Sequence, residues 1–174
     1  GSNNWTELGP PVVRQGKYGG ALTLNGSDYA TCVSHTGISG GQRRTLSLWF
    51  KTSTANKPLI TYGAAGSGTL FKVSLNGSGA AVLDLGGVSI TAGSGLANGA
   101  WHHFAATVPF NGNSGGVKVY VDGSVTNGSG TTAINTSSSS SSKVKIGFDG
   151  SAFFSGQIDD IRLYNAELNA STIA

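Results

Sequence analysis

The sequence predicts an all-β fold in which two antiparallel sheets pack face to face as a sandwich. From residue 21 onward, apolar and polar residues alternate with a period of two, which is typical of strands that bury one face. Pairs of Asn-Gly or Asp-Gly, which favour hairpin turns, interrupt the alternation at 25–26, 76–77, 98–99, 111–112, 122–123, 127–128 and 149–150. The pattern indicates roughly ten to thirteen short strands, too many for one open sheet, so two packed sheets are expected.

Five segments show the alternation most clearly, and each predicts one buried face. We expect their core residues to be Leu46, Leu48 and Phe50; Phe71, Val73 and Leu75; Phe104, Ala106 and Val108; Val117, Val119 and Val121; and Val144, Ile146 and Phe148. Residues 137–142 are all serine, and strand-like sequence continues beyond them, so we interpret them as a flexible loop within the domain. The one helical signal is Asn169, which predicts a cap for a short turn through Thr172 and Ile173.

Length and composition limit the classes of function. We assign residues 17–174 to a single domain, preceded at residues 1–16 by a cloning-tag remnant and a lead-in strand, and we expect it to be a module of a larger protein. The 11 basic residues are scattered, which argues against a nucleic-acid partner. No apolar run approaches the roughly 18 residues that span a bilayer, which argues against membrane insertion. The lone Cys32 has no disulfide partner and is expected to be a buried thiol.

Three segments carry a family resemblance. They are GALTLNGSDY at 20–29, WHHFAAT at 101–107 and GQIDDIRLYNAEL at 156–168, and TLSLWF at 45–50 and VYVDG at 119–123 fit between them in the same order. Together they resemble the laminin-G-like, concanavalin-A-like family over about residues 17–174. The resemblance implies a jelly-roll sandwich of two antiparallel sheets. It also implies a binding role in secreted or cell-surface proteins, but it does not choose the ligand.

The resemblance favours a carbohydrate-binding module. The chain lacks the disulfide of laminin G domains and looks closer to bacterial members attached to glycan-degrading enzymes or adhesins. We therefore expect an extracellular module that tethers a larger protein to polysaccharide. The alternatives are an adhesion or protein-interaction domain, a structural spacer and, third, a glycan-active enzyme. An adhesion domain predicts a flat apolar patch, whereas a carbohydrate-binding module predicts an aromatic floor in a groove.

The carboxylates argue against catalysis. Glycoside hydrolysis needs two carboxylates on either side of one bond, and the chain has only 8 acidic residues. The Glu-x-Asp-x-Glu strand of related glycosidases is absent, and the adjacent Asp159 and Asp160 would point to opposite faces of a regular strand. We expect a module without catalytic residues.

Three carboxylates are candidate ligands for a structural calcium, which the resemblance implies for many members of the superfamily. Asp28 follows the first core strand, and Asp159 and Asp160 lie between Ile158 and Ile161, whose parity requires a bulge if both are buried. The alternative is that Asp160 pairs with Arg162 and Asp28 forms a turn beneath 25–26. The sequence leaves both interpretations open.

A saccharide site needs an exposed aromatic platform and polar groups that bond hydroxyls. We predict ligand contacts from aromatic residues next to loops, which are Tyr62, Phe110, Phe153 and Phe154. If the ligand is an acidic polysaccharide, we expect it to contact Arg43, Arg44 and Lys72. Strand parity places His102 in the core and His103 on the outer face, where it could contact ligand. Trp49, Trp101 and Tyr120 share that outer parity but are expected to support the sandwich.

Overall fold

The computed structural model describes residues 5–8, 12–32, 34–137 and 143–173, and within them the chain forms 14 strands and two short helices. The strands are β1 (Trp5–Leu8), β2 (Val12–Gln15), β3 (Gly20–Asn25), β4 (Tyr29–Cys32), β5 (Arg44–Lys51), β6 (Pro58–Gly63), β7 (Leu70–Leu75), β8 (Ala81–Asp84), β9 (Ser89–Ala92), β10 (Trp101–Val108), β11 (Lys118–Val121), β12 (Ser124–Asn127), β13 (Lys145–Ile146) and β14 (Ser155–Tyr164). A 3-10 helix covers Ser114–Gly116, and α1 covers Ala170–Ile173.

The strands form two seven-stranded sheets. The first sheet has the order β1-β4-β13-β6-β7-β8-β9, and the second has the order β12-β11-β10-β5-β14-β3-β2. All pairings are antiparallel, and several neighbours in space are distant in sequence, as in β5 between β10 and β14. The predicted two-sheet antiparallel jelly roll is confirmed. No helix among the described residues is long and apolar enough to cross a membrane.

Alternation placed the core correctly on most strands. On β5, Leu46, Leu48 and Phe50 are fully buried between the sheets, while Ser47 and Trp49 are half-buried on the outer face. The core residues predicted on β7, β10 and β11 are also buried. The predicted thiol at Cys32 is 2% exposed and unpaired.

The prediction for Phe148 was wrong. Gly147, which precedes it, has a φ of +77°, and this left-handed backbone interrupts the alternation that Val144 and Ile146 follow. Phe148 therefore stacks on Tyr29 on the outer side of the first sheet, and it is only half-buried. A side chain at 147 would collide with Leu24, so this turn requires glycine.

The chain terminus covers part of the second sheet. The Oδ1 of Asn169 accepts a hydrogen bond of 3.0 Å from the backbone N–H of Thr172, which confirms the predicted cap. The capped turn packs Ile173 against Ala105 and Tyr120, and so buries two outward-facing residues of β10 and β11. Of the predicted serine loop, residues 138–142 lie outside the described residues, as do residues 1–4 at the predicted tag. The domain bounds stay a prediction.

Candidate functional site

A bulge in β14 shapes the middle of the second sheet. Asp159 pairs with Trp49 of β5 and Arg162 pairs with Ser47, so two residues of β14 oppose one residue of β5 between these pairs. Asp160, inside the bulge, has a φ of +47°. The bulge predicted between Ile158 and Ile161 is confirmed. It brings the side chains of Asp160 and Arg162 to the same outer cleft.

The outer face of the second sheet carries a cleft of about 740 Å³. Strands β5, β10 and β14 form its floor, and the turn before β3 forms one wall. We call it the sheet-2 cleft, and it is lined chiefly by Lys17, Trp49, Trp101, His103, Asp160 and Arg162. Register explains the grouping, because His103 of β10 lies directly opposite Trp49 of β5, and Asp159 follows on the other side.

Trp49 is the aromatic centre of the sheet-2 cleft. Its ring is 5.1 Å from the His103 ring and 5.9 Å from the Tyr18 ring, which approaches edge-on. The ammonium of Lys17 lies 4.5 Å from the centre of the Trp49 ring. Tyr18 is 62% exposed, whereas Trp49 is half-buried and held by its neighbours. This arrangement offers a supported ring with a flexible cation over one of its faces.

Polar groups surround the aromatic centre. The Nε of Arg162 donates a hydrogen bond of 2.7 Å to Asp160, and the Arg162 side chain remains 57% exposed. On the opposite side, Asp122 accepts hydrogen bonds from the backbone N–H of His103 at 2.8 Å and lies 2.7 Å from the His102 ring. Lys17 and Arg162 carry positive charge, and Asp122 and Asp160 carry negative charge, so the charges that line the cleft balance.

The surroundings of His103 shift the pKa of its imidazole. Burial lowers the pKa of its imidazole below the ordinary value of 6.5, although the negative charges of Asp122 and Asp160 oppose the shift. The lowered pKa favours the neutral form of the ring at pH 7. A neutral imidazole beside Trp49 can donate a hydrogen bond to a ligand hydroxyl or accept one from it. His102, the residue predicted for the core, is half-buried with its ring 5.8 Å from the ring of Phe50, and it bonds Asp122 and Asn98.

The structure does not bring the predicted ligand residues together. His103 lies in the sheet-2 cleft, while Arg43 and Phe110 lie at a loop, where the Arg43 guanidinium is 5.8 Å from the Phe110 ring. Lys72 and Phe153 lie on the outer side of the first sheet. The remaining three predicted residues are in the interior.

Arg44, Tyr62 and Phe154 were predicted to contact ligand, and their burial contradicts this. Arg44 is 0% exposed and donates to the backbone carbonyl oxygens of Gln42, Ile38 and Gly40, so it fastens the preceding loop.

Tyr62 and Phe154 belong to the core. Tyr62 is 1% exposed and stacks on Phe71 at 4.9 Å, and burial raises the pKa of its hydroxyl to about 12. Phe154 is fully buried between the sheets. Sequence proximity to a loop did not indicate exposure, because the facing sheet covers both residues.

The three predicted calcium ligands do not form one site. Asp28 lies at the Asn25 end of β3, where it accepts the backbone N–H of Asn25 at 2.9 Å. Asp159 accepts from the backbone N–H groups of Tyr18 and Asp160, and Asp160 pairs with Arg162. In the described part of the chain no three acidic, His or Cys side chains are grouped as metal ligands. These residues do not fit one calcium site, because Asp28 lies apart from the other two carboxylates and both oxygens of Asp159 already accept backbone N–H groups.

Sequence reasoning assigned the central residues of the cleft to another role. Trp49 and Trp101 were expected on the outer face, where they are, but as supports of the sandwich. Lys17, Tyr18 and Arg162 were not predicted to contact ligand. A usable signal was the shared outer parity of Trp49, Trp101 and His103 on two strands that could pair, since pairing in register places these rings side by side.

Comparison with known proteins supports the fold. Domain 4 of AbnA, an extracellular arabinanase from Geobacillus stearothermophilus solved in complex with arabinotriose, is 22% identical over 98% of this chain and 85% of its own, with a TM-score of 0.72. Domains LG4-5 of the mouse laminin alpha1 chain are 20% identical over 87% of this chain and 42% of their own, with a TM-score of 0.64. The binding domain of botulinum neurotoxin serotype G is 18% identical over 98% of this chain and 45% of its own, with a TM-score of 0.63.

These identities are low, so the likeness concerns the fold. A search of curated proteins finds no significant match. The family comparison covers most of the sequence, because a laminin G model described as the concanavalin A-like lectin/glucanases superfamily matches residues 24–174. The chain therefore belongs to the concanavalin A-like lectin/glucanase superfamily.

Proposed function

We propose that this domain is a non-catalytic carbohydrate-binding module and that it binds a saccharide in the sheet-2 cleft. The observation that carries the proposal is the supported ring of Trp49 at the centre of polar groups that can bond hydroxyls. A pyranose or furanose ring has an apolar face that stacks on an aromatic ring and hydroxyls that need directed partners. Trp49 provides the aromatic ring for stacking, and Arg162, His103 and Asp160 provide hydrogen-bond partners for the hydroxyls.

The balance of charge favours a neutral saccharide. Arg162 is paired with Asp160, and Asp122 balances Lys17 in number, so the cleft lining has no net positive charge for a polyanion. The residues that were expected to bind an acidic polysaccharide are used otherwise. Arg44 is buried, and Lys72 lies between Asp84 and Asp149 at 3.6 and 3.7 Å. A ligand rich in hydroxyls and poor in carboxylates suits the cleft better.

The two carboxylates of the cleft support binding without hydrolysis. A glycosidase needs one carboxyl that can give up a proton and a second that acts as base or nucleophile. Asp160 already accepts from Arg162, and Asp122 already accepts from the His103 backbone and the His102 ring. Both are arranged as hydrogen-bond acceptors that position neighbouring groups.

We infer that the domain binds outside the cell as part of a larger protein.

An adhesion surface is less well supported. The exposed large apolar residues of the described chain include Val13 on β2 and Val125 on β12, which are strands at opposite edges of the second sheet. Isolated apolar residues do not form the continuous patch that a protein interface needs.

The test is a binding assay on a panel of neutral and acidic polysaccharides, using wild-type protein, Trp49→Ala and the control Phe110→Ala. We expect wild type to bind at least one neutral polysaccharide, and Trp49→Ala to reduce the affinity about fivefold or more, since loss of a central aromatic contact costs over ~1 kcal/mol. Phe110 is 53% exposed and outside the cleft, so its variant should bind normally. Absence of binding to every polysaccharide, or unchanged binding by Trp49→Ala, would contradict the proposal.

A further inference from the structure

A second group of aromatic side chains lies on the outer side of the first sheet. Tyr29 and Phe148 stack with their ring centres 4.7 Å apart, and Phe148 and Phe153 stack at 4.5 Å with an interplanar angle of 25°. We call these three residues the aromatic stack. All three residues are half-buried, and Phe148 contacts both of the other rings. None of these three residues lines the sheet-2 cleft, and the aromatic stack lies on the opposite sheet.

A row of polar side chains crosses the same outer face in register. Thr31 pairs with Lys145, Lys145 pairs with Thr61, Thr61 pairs with Lys72, and Lys72 pairs with Asp84, so the row spans β4, β13, β6, β7 and β8. Each of these residues alternates with buried core residues of its strand, which places its side chain outside the sandwich. We call these five residues the outer row.

Contacts join the outer row to the aromatic stack. The Lys145 ammonium is 5.7 Å from the centre of the Phe148 ring. The Lys72 ammonium lies between Asp84 and Asp149, and Asp149 is in the loop that joins Phe148 to Phe153. The two lysines and the two aspartates carry charges that cancel.

The hydroxyl of Thr61 at the centre of the outer row has no partner. Thr61 is 9% exposed, and its Oγ1 finds no hydrogen-bond partner among the described residues. A buried polar group that stays unpaired costs about 1–3 kcal/mol. Lys145 and Lys72 lie on either side of Thr61 in register and end in flexible ammonium groups, so a ligand that displaces them gains access to this hydroxyl.

We propose that the aromatic stack and the outer row form a second saccharide-binding surface, specific for a neutral polysaccharide chain. A sugar ring stacks on aromatic side chains, and its hydroxyls bond to polar groups, and this surface has both. Because the charges of the surface cancel, it does not favour a polyanion. Because the outer faces of the two sheets point in opposite directions, the two surfaces bind separate segments of polysaccharide. The domain is then bivalent and can bridge two polysaccharide chains. This surface does not depend on the sheet-2 cleft, and each can fail alone.

The test is isothermal titration calorimetry with arabinotriose, xylotriose and cellotriose, supported by amide chemical-shift mapping of the full chain. We expect two sites per wild-type molecule for at least one probe. Trp49→Ala should retain only the second surface, and Phe148→Ala only the sheet-2 cleft. Because Phe148→Ala could unfold the domain, Phe153→Ala and the wild-type shift map provide independent readings. Phe110→Ala is the matched aromatic control and should keep two sites.

The outcomes separate the two proposals. Shift changes at Tyr29, Lys72 and Phe148 that persist in Trp49→Ala establish the second surface. One site per molecule that disappears in Trp49→Ala, with no shift changes near the aromatic stack, overturns the second surface and leaves the sheet-2 cleft. One site that survives in Trp49→Ala and is lost in Phe153→Ala overturns the sheet-2 cleft instead. No binding of any probe overturns both.

Discussion

Asp159 holds the backbone of Tyr18, 141 residues away, through a hydrogen bond of 2.8 Å from the Tyr18 N–H to Oδ2. This bond fixes the turn that carries Lys17 and Tyr18 over Trp49. Gly16 adjoins the same carboxylate, and a side chain there would lie 2.4 Å from Oδ2. The wall of the sheet-2 cleft therefore depends on one buried carboxylate of the β14 bulge.

Replacing Asp159 should weaken the cleft wall as well as the fold. Asp159→Ala removes the charged acceptor of the Tyr18 N–H, and we expect a loss of about 1–3 kcal/mol in the free energy of unfolding and weaker saccharide binding. Urea denaturation and a binding assay measure the two effects. Asp159→Asn, which keeps an acceptor oxygen, should lose less of each. Equal losses for both variants would count against the hydrogen bond as the cause.

His103 should make stability depend on pH. Its folded-state pKa is lowered by burial, so the unfolded chain takes up the proton more readily than the folded chain. The contribution of His103 to the free energy of unfolding is fully present above about pH 6.5, and it is lost as the pH falls through the folded-state pKa. We expect wild type to lose more stability than His103→Gln between pH 7.5 and pH 5, measured by urea denaturation at both values. Parallel losses would show that His103 does not titrate as described.

The buried Arg44 and the exposed Arg43 form a matched pair. Arg44→Met keeps the volume but leaves three carbonyl oxygens without their donor, and we expect a loss of about 3 kcal/mol or more. Arg43→Ala should change stability by less than about 0.5 kcal/mol, because its guanidinium contacts only the exposed Phe110 ring at 5.8 Å. Thermal and urea unfolding of the two variants provide the comparison. Similar losses in both would contradict the fastening role of Arg44.

Calcium should have no effect through the carboxylates that the sequence singled out. Asp28, Asp159 and Asp160 each accept hydrogen bonds from the protein, and Asp28 lies apart from the other two. We expect the same melting temperature in calcium and in a chelator. A higher melting temperature in calcium would indicate a site, and its loss in Asp28→Asn or Asp160→Asn would restore the original assignment.

The strand pattern was predictable because it depends on local alternation. Leu48 and Trp49 were assigned to opposite faces from neighbouring residues alone, and this was correct. Phe148 was misplaced, since the positive φ of Gly147 reverses a side chain without a change in the apolar pattern. Burial of Tyr62 and Arg44 depends on the facing sheet and on a loop, neither of which sequence parity describes.

The sheet-2 cleft was not predictable as a unit. Its residues come from positions near 17, 49, 103 and 160, and they meet only because β5 lies between β10 and β14. Strand order is set by long-range pairing, which a single sequence does not display. His103 was singled out from its parity, whereas Trp49 was assigned to support because it lies in a strand typical of the family. Whether His103 contacts ligand stays a prediction.

The most direct measurement is the indole N–H signal of Trp49 in an amide and indole correlation spectrum, assigned with Trp49→Phe. The protein is titrated with arabinotriose and with neutral oligosaccharides that represent the polysaccharides of the panel. We expect the Trp49 indole signal and the amide signals of His103 and Arg162 to move together and to saturate at one affinity. If a saccharide binds and these signals stay fixed, or if no saccharide moves them at any concentration, the sheet-2 cleft is not the binding site.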